Sequence, residues 1–166
     1  GGCWKVLMSN PRSFVISDTH FFHENIIKYA GRPFHNAHEM NEALVNNWNS
    51  VVEDHDQVYH LGDVYMGTCS QNDIDKLLWR LKGRKYLILG NHDNPEDQVL
   101  QRHFRKISLI CVLKQQGILL SHIPLHPESC KGMVNYHGHI HEKPAYSDQY
   151  VNVSVEWTGY TPKQIA

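Results

Sequence analysis

Side chains that suit metal binding and proton transfer follow several short apolar stretches of this 166-residue sequence. The clearest example is Leu87–Asp93 (LILGNHD), in which an apolar run ends at a glycine and three polar side chains follow at once. A buried strand that ends in this way is a common means by which α/β proteins present a reactive site. A simple capping turn would explain Asn94 as helix N-cap and Pro95 as the first helical residue, but it leaves residues 91–93 unexplained.

The same arrangement recurs at five predicted strand ends. The polar groups at these ends are Asp18 with His20, Asp63, Asn91 with His92, His122, and His139 with His141. A lone histidine after a strand is usually a hydrogen-bonded loop residue, and a Gly-Asp pair alone is usually a turn. Five such coincidences are improbable, because ligands of open α/β sheets collect outside the carboxyl ends of the strands.

The spacing of these groups strengthens the prediction of a shared site. Asp18 and His20 are two residues apart, as are His139 and His141, so each pair can project to one side of an extended segment. Imidazole together with carboxylate and amide oxygens suits Mn, Fe, Ni, Co or Zn, whereas a nitrogen-rich set disfavours Ca and Mg. Three glycines beside these groups lack a Cβ and would let the backbone approach a crowded centre, namely Gly62, Gly90 and Gly138.

The composition argues against several classes of partner. The chain has 17 acidic and 16 basic residues, which gives no sign of a basic patch for stable nucleic-acid binding. No apolar run approaches the roughly 18 residues that span a bilayer. The four cysteines are widely spaced, which predicts reduced thiols in the cytoplasm, or in a host's cytoplasm if a phage encodes the chain. The length predicts one domain over residues 1–166, with Gly1 and Gly2 as a processing scar, and leaves homo-oligomerisation open.

The hydrophobic pattern predicts alternating strands and helices followed by a strand-rich part. Helices are predicted at residues 37–52, from Ser70 to Gly83, and from Pro95 to about His103. Strands are predicted at residues 6–8, 14–16, 56–63, 85–89, 107–113 paired with 118–120, 133–136 and 150–155. This order predicts an α/β layered fold with central mixed β-sheets flanked by helices.

Five short motifs resemble the ordered motif set of the calcineurin-like metallophosphoesterases. They are DTH at Asp18–His20, GD at Gly62–Asp63, GNHD at Gly90–Asp93, SH at Ser121–His122 and GHIH at Gly138–His141. The motifs stand in the order of that superfamily, and their context is similar to its small, single-domain bacterial and phage members. The resemblance implies the layered fold of that superfamily and two divalent transition-metal ions, with manganese favoured over iron, nickel, cobalt and zinc.

The resemblance also implies a role for each motif residue. One metal ion would be bound by Asp18, His20, Asp63 and His141, and the other by Asp63, Asn91, His122 and His139. A metal-bridging hydroxide would attack phosphorus in line. His92 would be the general acid that protonates the leaving oxygen, and Asp93 would orient its ring. For His92, the alternative is that it only fills a turn.

Four further residues are candidates for substrate binding. His23 and Arg32 could contact a substrate phosphate, although support of the ligands or a surface position is the commoner role for such residues. Phe22 and Tyr65 could stack on a base, and packing in the core is at least as common. Phe22 stands where many members of the superfamily have glycine, which would narrow the entrance. His137 is not assigned to either metal and is expected to face away from them.

The resemblance favours hydrolysis of a phosphodiester, nucleotide-like substrate. A phosphomonoesterase acting on a nucleotide or a phosphoprotein is the enzymatic alternative. The alternative from another class is an interaction scaffold, since a retromer subunit has this fold and works mainly as a binding platform. No membrane partner is expected.

Overall fold

The computed structural model describes residues 10–166, so the predicted strand at residues 6–8 lies outside the described part. Its strands are β1 (Ser13–Ile16), β2 (Gln57–His60), β3 (Arg84–Ile88), β4 (Ile107–Ser108), β5 (Ile110–Leu113), β6 (Ile118–Ser121), β7 (Val134–His137), β8 (Tyr150–Asn152) and β9 (Lys163–Gln164). Its helices are α1 (Glu24–Tyr29), α2 (Ala37–Val51), α3 (Gln71–Trp79), α4 (Gln98–His103), α5 (Pro127–Cys130) and α6 (Val155–Thr158).

The strands form two mixed sheets. The first has the order β4-β3-β2-β1-β9, in which β1 to β4 are parallel and β9 is antiparallel to β1. The second has the order β5-β6-β7-β8, in which only the β5–β6 pair is antiparallel. A parallel bridge between Ser17 and Ser154 connects the segments that follow β1 and β8. The predicted α/β layered fold with mixed sheets flanked by helices is therefore confirmed.

The larger hydrophobic core includes β1 to β3 and helices α2 and α3. Trp48 of α2 is fully buried among these elements, and its indole nitrogen donates to the carbonyl oxygen of Lys82 at 2.8 Å. Burial of each large apolar side chain contributes about 1.5–3 kcal/mol to folding. A second, smaller core is formed by buried residues from the segments of both sheets, namely Val15, Leu61, Ile88, Ile118, Leu120 and Val153.

Helix starts follow the capping rules with one correction. The Ser70 hydroxyl accepts from the backbone N–H of Asp73, which completes the capping box of α3. The prediction that Asn94 caps the next helix was wrong. Asp97 is the cap, because its carboxylate accepts from the backbone N–H of Val99 at 2.9 Å and α4 begins only at Gln98.

Three predicted strands were too long. The strand predicted at residues 56–63 ends at His60, and two others contain a break. The segment 107–113 is divided between the sheets, with β4 on the first and β5 on the second, and the exposed Leu109 lies at the crossing. The segment 150–155 ends as a strand at Asn152, and α6 begins at Val155. In both cases apolar residues continue past the end of the strand, so alternation alone could not locate the break. No helix within residues 10–166 is long and apolar enough to cross a bilayer.

Candidate metal centre

All seven predicted metal ligands converge just beyond the carboxyl ends of five strands. The loop after β1 carries Asp18 and His20, the loop after β2 carries Asp63, the loop after β3 carries Asn91, the loop after β6 carries His122, and the loop after β7 carries His139 and His141. Backbone hydrogen bonds join these loops, including Asp18 N–H to the Gly62 carbonyl at 3.0 Å. The loops therefore form one structure that the parallel strands bring together.

The ligand atoms form two adjacent groups. The first cluster is Asp18, His20 and His141, and the second cluster is Asp63 and Asn91 with His122 and His139. Asp63 lies between them, because its Oδ2 atom is 3.6 Å from His20 Nε2 and 3.4 Å from His122 Nε2. The Asn91 Oδ1 atom is 2.8 Å from His122 Nε2 and 3.1 Å from His139 Nδ1.

The spacing of the donor atoms in the first cluster suits binding of a metal ion better than hydrogen bonding between the side chains. Asp18 Oδ1 is 3.6 Å from the Nε2 atoms of both His20 and His141, which is too far for a hydrogen bond. Neighbouring ligands of an ion with bonds of about 2.1 Å lie roughly 3.0–3.4 Å apart. Asp18 Oδ1 and His20 Nε2 are buried without a hydrogen-bond partner among the described residues. These side chains could therefore hold a metal ion.

Each carboxylate is oriented through one oxygen and presents the other to the clusters. Asp18 Oδ2 accepts from the Ser17 hydroxyl at 2.6 Å and from the His139 backbone N–H at 2.9 Å. Asp63 Oδ1 accepts from the backbone N–H of His92 at 2.9 Å. The remaining oxygens, Asp18 Oδ1 and Asp63 Oδ2, face the histidine rings.

Two histidine rings are fixed through their second nitrogen. His122 Nδ1 is 2.7 Å from the carbonyl oxygen of Leu61, and because a carbonyl only accepts, Nδ1 carries the proton. His141 Nδ1 is 3.2 Å from a carboxylate oxygen of Glu156. Such outer partners set the tautomer so that Nε2 offers its lone pair to a metal. In both residues Nε2 is the atom that faces the cluster.

Five of the seven ligands adopt left-handed backbone conformations. Their φ angles are 59° at Asp18, 49° at His20, 57° at Asp63, 70° at His139 and 49° at His141. The expectation that each pair lies on an extended segment was therefore wrong. Such conformations cost about 1–3 kcal/mol each in residues other than glycine, and they persist only where the surrounding structure enforces them.

The glycines beside the ligands are required by close packing, as expected. A Cβ on Gly90 would collide with the backbone nitrogen and the carboxylate of Asp63. A Cβ on Gly138 would collide with the Ser17 hydroxyl and the carboxylate of Asp18. The carboxylates of Asp18 and Asp63 thus lie directly against glycine backbone that has no side chain.

The two carboxylates of the site stabilise positive charge on neighbouring groups. Burial would raise the pKa of Asp18, but the surrounding histidines lower it well below its usual range. The pKa of Asp63 is also lowered, since the hydrogen bond and charge of His122 outweigh burial. Burial lowers the pKa of His122, but Asp63 and Asp18 raise it to about 9. Both carboxylates are therefore ionised at neutral pH.

Asp93 does not orient His92, which corrects the predicted role. One oxygen of its carboxylate accepts from the backbone N–H groups of Asp63 and Gly90, both at 2.8 Å, and the other accepts from Val64 N–H at 3.0 Å. Asp93 therefore joins the loop after β3 to the loop after β2. The His92 ring is exposed, and its centre lies 5.9 Å from that of His20 in an edge-to-face arrangement.

Arg32 is buried and supports the first cluster, so it is not available to a substrate phosphate. Its guanidinium donates to the backbone carbonyls of Asp18 at 2.6 Å and Thr19 at 2.9 Å. It also donates to Glu156 at 2.9 Å, and Glu156 in turn contacts the His141 ring. The guanidinium thus fixes the Asp18–His20 loop and the carboxylate that orients His141.

The other candidate substrate residues have different surroundings. Phe22 packs against the main core and lines a groove between α2 and α3, which does not support a role at the site entrance. The Tyr65 hydroxyl is bound to Asp97 and to Gln71, and burial and Asp97 raise its pKa to about 12. The His23 ring lies 5.6 Å from the His20 ring, so His23 is the one of these three beside a cluster.

Two further histidines lie beneath the site. His60 Nε2 is 2.9 Å from the Thr19 hydroxyl, and its Nδ1 accepts from Gly62 N–H at 3.1 Å, so it supports two ligand loops. Burial lowers the pKa of His60 to about 3, which keeps it neutral. His137 is buried, contacts the Gly138 carbonyl and belongs to neither cluster.

Comparison with known proteins places the chain among archaeal, phage and bacterial relatives. The uncharacterized protein MJ1445 of Methanocaldococcus jannaschii is 36% identical over 169 residues, which cover 93% of this chain and 88% of the relative. The chain belongs to the family of MJ1445. No protein-family model matches it. The gene 66 protein of Mycobacterium phage L5 is 35% identical over 98 residues, which cover 58% of this chain and 45% of the phage protein.

A solved structure has a similar fold. The protein of unknown function AQ665 from Aquifex aeolicus is 29% identical, with a TM-score of 0.76 over 93% of this chain and 96% of that one. The MJ1445 family therefore shares this layered α/β architecture with a bacterial protein. None of these relatives has a name that states an activity.

Sequence reasoning missed Glu156 in this MJ1445-family site. Its side chain is 6% exposed and contacts both Arg32 and His141, yet it follows the apolar segment Tyr150–Val155 and has no motif around it. One signal could have identified it. A single acid directly after an alternating strand segment must be paired if it is buried, and a histidine ligand is a suitable partner.

Proposed function

We propose that this chain is a metal-dependent phosphoesterase of the calcineurin-like metallophosphoesterase superfamily that hydrolyses phosphodiesters. One observation carries the proposal. Seven ligand side chains meet in two clusters that share Asp63, and an exposed histidine, His92, lies beside them. The motif order in the sequence supports the same function. The family relatives neither support nor oppose it.

The proposed centre holds two divalent ions. Asp18, His20, Asp63 and His141 would bind one ion, and Asp63, Asn91, His122 and His139 would bind the other. When bound, the ions would supply a nucleophilic water at neutral pH and a net positive charge that attracts a phosphate. The nitrogen-rich ligand set disfavours calcium and magnesium. The resemblance to the superfamily favours manganese, with iron, nickel, cobalt and zinc as the alternatives.

His92 is the proposed general acid. It is not a ligand of either ion, and its exposed ring is free to reach a leaving oxygen. Its backbone N–H is bonded to the Asp63 carboxylate at 2.9 Å, so the position of His92 is tied to the residue that both ions share. Proton donation of this kind contributes about 10²–10⁴-fold to a rate. Asp93 fixes the turn that carries His92 and does not orient the His92 ring.

The proposal is tested with generic aryl substrates. Purified protein supplied with Mn²⁺ is expected to hydrolyse bis(4-nitrophenyl) phosphate with a higher kcat/KM than 4-nitrophenyl phosphate. A preference for the monoester would instead identify a phosphomonoesterase. If neither ester is hydrolysed and no transition metal binds, the chain is an interaction scaffold. His38→Asn, on the exposed face of α2, is the matched surface control for histidine variants of the site.

The proposed site of action is the cytoplasm. The three cysteines of residues 10–166, Cys69, Cys111 and Cys130, are all free thiols, which is the usual state in a reducing compartment.

A further inference from the structure

An apolar cleft of about 360 Å³ opens beside the second cluster. It lies between the loop after β3, the crossing from β4 to β5, and the loop after β6. Two of its lining residues, Asn91 and His122, are also candidate metal ligands. The cleft thus adjoins the second cluster.

The rest of the cleft wall is aliphatic. Leu109, Ile110 and Ile123 are 72%, 49% and 50% exposed, and they stand around one opening together with Leu89 and Leu125. Single exposed apolar residues are normal on a protein surface, but a contiguous group beside a candidate active site indicates binding. A cavity of about 150 Å³ suffices for benzene, so this cleft has room for a substituted aromatic ring or a branched alkyl chain.

Apart from the candidate ligands Asn91 and His122, the polar side chain in the cleft wall is paired within the chain. The Ser121 hydroxyl donates to the Ile123 carbonyl at 2.6 Å and accepts from Asn135 at 2.9 Å. The Gly90 N–H donates to Asp93 at 2.8 Å. No aspartate, glutamate, lysine or arginine is among the lining residues. A sugar hydroxyl or a base edge would therefore lose its hydrogen bonds to water here without replacement, which costs affinity.

From these observations we infer that the cleft binds an apolar organic group, aromatic or branched aliphatic, of the phosphoester whose phosphorus lies at the metal clusters. The inference rests on the proposed function and narrows its substrate class. Phosphoesters with a hydrophobic substituent are preferred to those with only small or strongly polar substituents. A nucleotide-like substrate would place an apolar part, not the hydrogen-bonding edge of its base, in the cleft.

The test compares two non-hydrolysable ligands, methylphosphonate and benzylphosphonate, by calorimetry on Zn²⁺-loaded protein. Benzylphosphonate is expected to bind about ten- to a hundredfold more tightly, since burying its ring is worth about as much as burying a large apolar side chain. The variants Leu109→Asn and Ile123→Asn should each lower that preference several-fold and leave the affinity for methylphosphonate unchanged. Val112→Asn is the matched control, because Val112 is a 42% exposed residue of β5 outside this cleft.

Methyl NMR of the Zn²⁺-loaded protein separates failure of the inference from failure of the proposed function. Benzylphosphonate and neutral benzyl alcohol should both shift the methyl signals of Leu109, Ile110 and Ile123. Equal affinity for the two phosphonates, without such shifts, would overturn the inference and leave the phosphoesterase intact. If neither phosphonate binds but benzyl alcohol still shifts these signals, the proposed function fails and the apolar site stands. Loss of self-association in Ile123→Asn, with unchanged ligand preference, would identify the patch as a contact between copies and also overturn the inference.

Discussion

The two candidate metal clusters are built differently, although they share a carboxylate. The first cluster is the more buried, since Asp18 and His20 are 0% and 2% exposed and the His141 side chain is 22% exposed. In the second cluster Asp63 and His122 are buried, but Asn91 and His139 are exposed, and Asn91 and His122 line the apolar cleft. The second half of the candidate site is thus more exposed than the first.

The support of the two clusters differs in the same way. The first is held by a buried ion pair, in which Arg32 and Glu156 fix the Asp18 backbone and the His141 ring. The second is held mainly by backbone groups, such as the Leu61 carbonyl on His122. No hydrogen bond to a side chain outside the clusters fixes Asn91 or His139 within the described chain.

This difference predicts unequal affinities for metal ions. Electrostatic attraction is stronger where water is excluded, so the first cluster should bind its ion more tightly. The second cluster should exchange its ion more readily and should make most of the contact with substrate. The proposed enzyme would then keep one ion in place while the second takes part in substrate binding.

The largest expected effect follows loss of the shared carboxylate. Asp63→Asn removes the one charge that lies between the clusters, so both ions should bind weakly and turnover should fall by more than about 10³-fold, since bound ions supply several kcal/mol of transition-state stabilisation. Metal content is measured by elemental analysis and turnover with the aryl diester. Asp148→Asn, an exposed change of the same type, is the control. Retention of one tightly bound ion would show that Asp63 serves only one cluster.

The next largest effect is expected at His92, where proton transfer can be tested separately from metal binding. His92→Asn should leave the metal content of both clusters intact and lower turnover at least tenfold, because the general acid is lost and no ligand is. The decisive measurement is kcat with elemental analysis of the same sample, beside His38→Asn. Near-normal turnover would remove His92 from the mechanism.

Much of this site was predictable because the sequence pattern indicates where strands end. Short apolar runs that precede Asp18, Asp63 and Asn91 indicated the strands. Parallel strands bring their carboxyl ends to one edge of the sheet. The layered α/β fold followed from the same alternation. The left-handed conformations of the ligands were not predictable, because nothing local favours them and only the joined loops enforce them.

What the sequence could not supply was the set of supporting contacts. Arg32 and Glu156 are 124 residues apart, and no spacing rule relates them. Asp93 was assigned to the His92 ring because the two are adjacent in sequence, whereas its carboxylate binds backbone 29 and 30 residues away. Interactions between distant loops depend on the assembled fold, and a motif does not record them.

The third prediction tests the support of the first cluster alone. Glu156→Gln keeps the shape of the side chain but removes the charge that orients His141, so the affinity of the first cluster for its ion should fall about 10–100-fold. Stepwise metal titration should show the tighter of two binding steps weakened and the weaker step unchanged. Glu142→Gln, an exposed change in the adjoining loop, is the control. Equal weakening of both steps would contradict a separate support for the first cluster.

The smallest effect concerns the backbone strain in each cluster and is measured by urea unfolding of protein freed of metal. At the exposed His139, with φ of 70°, glycine should give a free energy of unfolding about 1 kcal/mol higher than alanine, since glycine adopts this conformation without a steric cost. At Asn46, exposed in α2, the order should reverse, because glycine weakens a helix. His141→Gly should instead lower the free energy of unfolding. Glycine also removes the steric cost of the left-handed backbone at residue 141, but the buried Glu156 loses a hydrogen-bond partner, at a cost of about 1–3 kcal/mol. Stabilisation by glycine at both histidines would show that the first cluster is held no more firmly than the second.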